Sequence, residues 1–335
     1  MSKKLPGTTL QRLILLYLTV GLFGCNNLPN IANNSSTTNI ESDVVNRNLP
    51  KVVATTSVLC SLAKQIAGDT INLTCLIPTK SDPHLYQPKP EDREAIEQAK
   101  LILYNGYNLE PGLIRIIRAS KNRAAKIAVA QVAVPQPQQV KENGRTIPDP
   151  HIWHNVKNAS IMVDVISSNL RKLQPNNVVI YNNNSKKTKS ELVQLDSWIK
   201  LRITSIPENQ RKLITTHDAM GYYAKAYGFS IAGALQGTNT REKPTNARIN
   251  ALFKGIQQAK IRTIFAETTV NSNLIEGVAK EAKVRVSERK LYTEGLGEPR
   301  SGADTYQKMM AANTRTIVEG LGGTYLIFQP KASKK

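Results

Sequence analysis

The sequence predicts an α/β protein of two lobes, each a parallel sheet flanked by helices, and three observations predict it. Short β-branched runs alternate with helical stretches along most of the chain, the pattern of parallel sheets with crossover helices. Two segments, VVATTSVLCSLAKQIAG (52–68) and LITTHDAMGYYAKAYG (213–228), repeat one order of strand, Thr-Thr, helix and Gly. Between them, Gln174 to Ile206 spaces Val178, Val179, Leu192, Leu195, Ile199 and Ile203 among many Lys, Asn and Ser, and reads as one long solvent-facing helix linking the lobes.

Each element has a local reason. Val52 to Thr56 is β-branched and reads as a strand. Ser57 offers an N-cap for a helix from Val58 to Ala67, which Gly68 ends. Ile71 to Ile77 reads as a strand, Pro78 to Pro90 as a loop, Glu91 to Ala99 as a helix and Leu101 to Tyr104 as a short buried strand. Lys126 to Val134 reads as a further strand, Pro148 to Asn155 as a loop and Ala159 to Leu173 as a helix. The second lobe opens with a strand from Lys212 to His217 and a helix from Ala219 to Tyr227, ended by Gly228. A strand near Ile231 follows, then helix Asn246 to Ala259, strand Thr263 to Ala266 and helix Leu274 to Ala282. The strand Arg285–Val286, a loop from Leu291 to Asp304 and a helix from Tyr306 to Leu321 complete the set.

The first residues set the compartment. Lys3, Lys4 and Arg12 precede an apolar run from Leu13 to Phe23, shorter than the roughly 20 residues that span a bilayer and suited to a signal-peptide core. Leu22-Phe23-Gly24-Cys25 resembles a bacterial lipobox, which implies cleavage before Cys25 and a lipid on its thiol. Residues 26–50, rich in Asn, Ser and Thr, cannot bury enough apolar surface to order themselves and read as a tether. The expected organisation is a signal peptide over 1–24, a tether over 25–50, a first lobe over 51–173, a linking region over 174–206 and a second lobe over 207–335.

The other two of the three cysteines, Cys60 and Cys75, are the only pair left for a disulfide; an oxidising compartment permits that bridge, and two buried free thiols are the alternative. The net charge of +20 raises nucleic acid as a partner, but the basic residues are scattered, aromatics are few and the chain is exported. The charge reads instead as a solvated surface compatible with anionic lipid or wall polymers.

Only four histidines occur, and two end the same tripeptide, Asp82-Pro83-His84 and Asp149-Pro150-His151. A third lies in Thr216-His217-Asp218, just past a predicted strand end. Imidazole is the commonest protein ligand for a transition metal, and three at comparable loop positions point to one site built from distant loops. Ligands in such sheets bind outside the carboxyl ends of strands. The neighbouring Asp82, Asp149 and Asp218 are candidates to orient the rings through their non-ligating nitrogens. His154 is read as a packing or hydrogen-bonding residue. A neutral three-histidine set gains an anionic ligand, with Glu294 the candidate and Asp304 and Glu298 its competitors.

Together these motifs resemble the zinc/manganese solute-binding lipoproteins of bacterial ABC importers (cluster A-I, or cluster 9). The resemblance runs from Val52 to Leu321 and rests on DPHLYQPKPED (82–92), YNGYNLEPGL (104–113), DPHIWHN (149–155), THDAMGYYAKAYG (216–228), IFAE (264–267), LYTEGLG (291–297) and ADTYQKMM (303–310). It implies two α/β lobes joined by one long rigid helix, with the ion buried between them. It places the metal ligands at His84 and His151 in the first lobe and at His217 and Glu294 in the second. The family's last ligand is usually aspartate, so Glu294 is a departure, one methylene longer. The implied partners are a membrane permease and its ATPase subunit, with a lipid anchor holding a monomer outside the cytoplasm, facing the periplasm or the cell exterior.

Three imidazoles and a carboxylate suit zinc. Manganese prefers more oxygen and is secured by geometry and availability. The stretch before His151 (PQPQQVKENGRTIPD) lacks the His-rich acidic loop of dedicated zinc importers, so manganese and zinc both stand, with iron behind them. The expected role is capture and delivery, without catalytic residues. A zinc-dependent hydrolase would need an open coordination position and a general base, and no His-Glu-x-x-His occurs. A surface adhesion lipoprotein with a structural metal is the third reading.

Overall fold

Val52 and Val53, wholly buried, sit in the strand around which the first lobe is laid down. This strand, β1 (Lys51–Ala54), is joined by β2 (Asn72–Cys75), β3 (Leu101–Tyr104) and β4 (Ala125–Ala128). All pairs are parallel, in the order β2–β1–β3–β4, with Val52 facing Leu73 on one side and Leu101 on the other. The computed structural model describes residues 49–142 and 144–331. The expected signal segment, Cys25 and all but the last two residues of the expected tether lie outside the described residues.

Helix α1 (Ser57–Ala67) begins one residue earlier than the sequence suggests, because Thr56 rather than Ser57 is the cap: its side chain accepts from Leu59 N at 3.3 Å. Ser57 is thereby free for another task. Cys60 in α1 and Cys75 at the end of β2 are joined in a disulfide, their Cα atoms 5.9 Å apart. Helix α2 (Pro90–Gln98) leads into β3, and α3 (Pro111–Ala119) fills a stretch for which the sequence reading gave no element. Its signal is Pro111 in the first turn with Leu113, Ile114 and Ile117 on one buried face. The expected strand Lys126 to Val134 divides: β4 ends at Ala128 and the chain coils into the short helix α4 (Val129–Ala133). A short apolar run carries no period that separates strand from buried helix.

A hairpin follows, β5 (Gln139–Glu142) against β6 (Arg145–Pro148), antiparallel and also absent from the sequence reading. Its signal is the Asn143-Gly144 dipeptide. Helix α5 (Val156–Leu173) starts earlier than predicted because Asn155 caps it, accepting from Lys157 N at 3.0 Å. The long helix α6 (Val178–Ile203) then buries Tyr181, Leu192, Leu195, Ile199 and Ile203, while Val179 stays 70% exposed.

The second lobe contains β7 (Lys212–Thr215), α7 (Gly221–Tyr227), β8 (Ser230–Ala234), α8 (Asn246–Gln258), β9 (Thr263–Ile264), α9 (Asn273–Ala282), β10 (Arg285–Val286) and α10 (Tyr306–Gly320). Two parallel pairs, β7–β8 and β9–β10, are joined by a bridge between Thr215 and Phe265. The order is therefore β8–β7–β9–β10, so each lobe sets its first strand between its second and third. The two lobes are joined by α6 and also share a core: Val52 and Leu59, Met162 of α5, Leu195 of α6, Tyr223 of α7 and Met310 of α10 belong to one buried cluster. Each fully buried Leu or Met side chain contributes about 2 kcal/mol, so the lobes are packed together rather than strung on a flexible link.

Beyond α10 the chain lies back on α6. Trp198 packs against Tyr325 and Phe328 with ring centroids 5.8 and 5.4 Å away, and the Arg315 guanidinium stacks 5.1 Å above Tyr325. Among the described residues no helix is long and apolar enough to cross a membrane.

Candidate metal centre

Three of the four histidines and one glutamate converge between the lobes. His84 lies in the loop after β2, and His151 follows β6 at the head of a short turn, Ile152–His154. His217 comes two residues after β7, and Glu294 lies in the loop leading to α10. One ligand atom from each falls within 4.8 Å of the others, and all four side chains are buried. The competing acids lie elsewhere: Glu298 is exposed and faces Lys80 at 3.7 Å, and Asp304 bonds Lys308 at 2.8 Å.

The Nε2 atoms face a common centre. His84 Nε2 is 3.3 Å from His151 Nε2, and Glu294 Oε1 lies 3.0 Å from His151 Nε2 and 2.5 Å from His217 Nε2. Glu294 Oε2 stands 3.7 Å from His84 Nε2, buried and with no hydrogen-bond donor. A buried carboxylate oxygen without a donor, aimed at clustered imidazole nitrogens, is the arrangement that a cation satisfies.

Each of the three histidines is held by a different device. Asp149 Oδ1 accepts from His151 Nδ1 at 2.8 Å and from its backbone N–H at 3.0 Å, the orienting role expected for it. Asp82 instead accepts the backbone N–H of His84 at 2.8 Å. The expectation fails for Asp218: its N–H donates to Gly237 O, while the Nδ1 and backbone N–H of His217 are both held by Glu267, whose Oε2 also accepts from Thr293 Oγ1 at 2.8 Å. Glu267 is thus a site residue that sequence reasoning missed. It sits fifty positions from His217, and only its place in IFAE, just past the end of a buried strand, flagged it.

The fourth histidine also serves the site. His154 is fully buried, and its Nε2 donates to the carbonyl of Thr293 at 2.8 Å, next to Glu294 and across the lobe interface. Ser57 Oγ accepts from Leu296 N at 3.0 Å, fixing the other side of that loop. Gly295 permits this approach, since a Cβ there would stand 2.5 Å from Ser57 Oγ.

The electrostatics match this wiring. Burial pushes the His84 ring down to about 3, and the His154 ring down to about 4, so both are neutral at pH 7. Burial pushes His151 down too, but the Glu294 charge and the Asp149 hydrogen bond outweigh it and hold that ring up at about 9. For His217, Glu267 and Glu294 overcome burial and raise the ring well above its ordinary value. Burial opposes ionisation of Glu294, but the three histidines hold its carboxyl well below the usual range. Burial, and then Glu294, push Asp82 up to about 6.

An open cleft of about 980 Å³ lies elsewhere, between α6, α10 and the C-terminal segment, lined by Lys187, Glu191, Arg315, Tyr325 and Phe328 among others and by none of the four converging residues.

Comparison with known proteins agrees with the fold and shows the family. The metal ABC transporter substrate-binding lipoprotein SsaB of Streptococcus sanguinis is 31% identical over 315 residues, covering 92% of this chain and 97% of its own. The manganese-binding lipoprotein MntA of Halalkalibacterium halodurans is 31% identical over 271 residues, 81% of this chain and 88% of its own. Among solved structures, the periplasmic zinc binding protein TroA from Treponema pallidum superposes with a TM-score of 0.77 at 29% identity, covering 82% of this chain and 99% of that one. Residues 52–320 match the ZnuA family, described as zinc-uptake complex component A, periplasmic, and the chain belongs to that family.

Proposed function

We propose that the protein is the extracytoplasmic solute-binding component of an ABC importer, which captures a divalent transition metal and delivers it to a membrane permease driven by an ATPase subunit. One observation carries this reading: two donors from each lobe, His84 and His151 with His217 and Glu294, meet at one buried point. A site split in this way closes on its ion and releases it when the lobes part. Four protein donors fill a tetrahedral shell and leave no position for the activated water a hydrolase needs, which favours transport over catalysis. The relatives named as ABC transporter lipoproteins support the same role.

The cargo is manganese or zinc, with iron behind them. Both Glu294 oxygens turn toward the cluster, so a two-oxygen grip would give the ion five donors, an arrangement open to manganese. Anchoring through a lipid on Cys25, after removal of residues 1–24 and followed by a tether over 25–50, completes the proposal and places the protein outside the cytoplasm.

The test is metal analysis of protein loaded from an equimolar mixture of manganese, zinc and iron, repeated for His217→Ala and Glu294→Ala. One ion per parent chain and strongly reduced loading in both variants is the expected result. His217→Ala loading as well as the parent would overturn the two-lobe site.

A further inference from the structure

Three consecutive residues on the loop leaving β8 each bond a partner in the first lobe. Asn239 Nδ2 donates to Glu142 Oε1 at 2.8 Å, at the tip of the β5–β6 hairpin. Thr240 Oγ1 donates to Asp82 Oδ2. Arg241 Nε donates to the backbone carbonyl of His84 at 2.9 Å. The other Asp82 oxygen accepts the His84 backbone N–H, so the segment Asp82–His84 is held by its own turn and by two bonds from the opposite lobe. The approach is close: a Cβ on Gly237 would stand 2.1 Å from Glu142 Oε1.

None of the three residues supplies a donor to the four-residue centre. Their bonds therefore contribute closure rather than coordination. Bonds of this kind exist only while the lobes are together, and on opening they are exchanged for water. They slow the departure of a bound ion while leaving its entry into the open cleft unchanged.

We propose that Asn239, Thr240 and Arg241 form an interlobe latch of positioning residues, Asn239 holding the β5–β6 hairpin and Thr240 and Arg241 clamping the His84 loop, that sets how long the captured ion stays. This inference rests on the ion-capture reading above. It makes the loop after β8, rather than a ligand, the element that delivery has to undo.

The test is a chelator chase of manganese-loaded full chain, with the association rate, the ions bound per chain and the ion-free melting temperature measured alongside. Parent, Thr240→Val, Thr240→Ser, Arg241→Ala and the Thr240→Val/Arg241→Ala pair are compared. Release about tenfold faster in Thr240→Val and Arg241→Ala, faster still in the pair and at the parental rate in Thr240→Ser, is expected, with association, stoichiometry and melting temperature unchanged. Parental release rates in the two single variants would overturn the latch while leaving ion capture intact. Slower association or fewer ions per chain would also overturn it, by assigning the residues to binding itself. A parent chain that binds no ion would overturn the capture reading and the latch together.

Discussion

Ser57 and His217 follow the same Thr-Thr pair in the two lobes, and both reach the loop that carries Glu294. Ser57 Oγ accepts from Leu296 N at 3.0 Å, and His217 Nε2 meets Glu294 Oε1 at 2.5 Å. The internal repeat thus brings one positioning residue and one of the four converging side chains to a single loop. Ser57→Ala leaves Leu296 N without its acceptor and is expected to weaken ion binding about tenfold, with the melting temperature of the ion-free chain little changed. Isothermal titration of both proteins with the same ion measures this, and equal affinities would remove Ser57 from the site.

Glu267 holds His217 by ring and backbone together. Glu267→Gln keeps the shape but can offer an N–H where only acceptors fit, which would turn the imidazole away. Affinity is expected to fall roughly 10–100-fold, the usual cost of losing the partner that orients a ligand. Asp218→Asn, at the neighbour that does not touch the ring, is the contrast and should stay within about threefold of the parent. Direct titration of both variants decides between the two acids.

Protons and the ion compete for the same nitrogens. His151 is held up at about 9 and His217 well above its ordinary value, so both are charged in the ion-free protein at neutral pH. Ion binding at neutral pH therefore expels about two protons, and affinity rises with pH through the His151 value near 9. Stability of the ion-free chain moves the other way. The folded value of His151 lies above the unfolded one, so its pairing stabilises fully below about 6.5 and fades as pH rises through about 9. Glu294 is depressed, so its contribution is present above about 4.5 and is lost as pH falls below that. The melting-temperature gain on adding the ion should therefore widen from about pH 6 to about pH 9. A constant gain over that range would contradict the protonated rings.

Glu110 is buried away from the centre, accepting from Thr55 Oγ1 at 2.8 Å and Asn105 N at 2.6 Å, and burial pushes its carboxyl up to about 7. The folded chain keeps this proton while the unfolded chain loses it near 4.5, so stability falls as pH rises from about 4.5 to about 7. The loss is of the order of 3 kcal/mol. Glu110→Gln, which carries no such charge, should gain on the parent as pH rises from about 5 to about 8 in denaturant titrations.

Alternation of strand and helix was readable because each lobe keeps its strands short and closes α1 and α7 with Gly68 and Gly228. The three histidines were readable because they are scarce and sit in loops at strand ends. Glu267 was not, since nothing local ties it to His217: only the pairing of Thr215 with Phe265 brings their chains together. Asp218 misled for the same reason in reverse, because adjacent side chains point apart. The role of Ser57 was not readable either: it accepts from Leu296 N more than two hundred residues away, a contact that no local pattern contains.

Two of the four ion-facing residues precede α6 and two follow it, so a bound ion is a stitch across the cleft. Work done in prising the lobes apart would free a bound ion, and the energy of capture sets how much work that takes. On this arrangement the molecule converts mechanical separation into chemical release, and the strength of the stitch is the load at which it lets go.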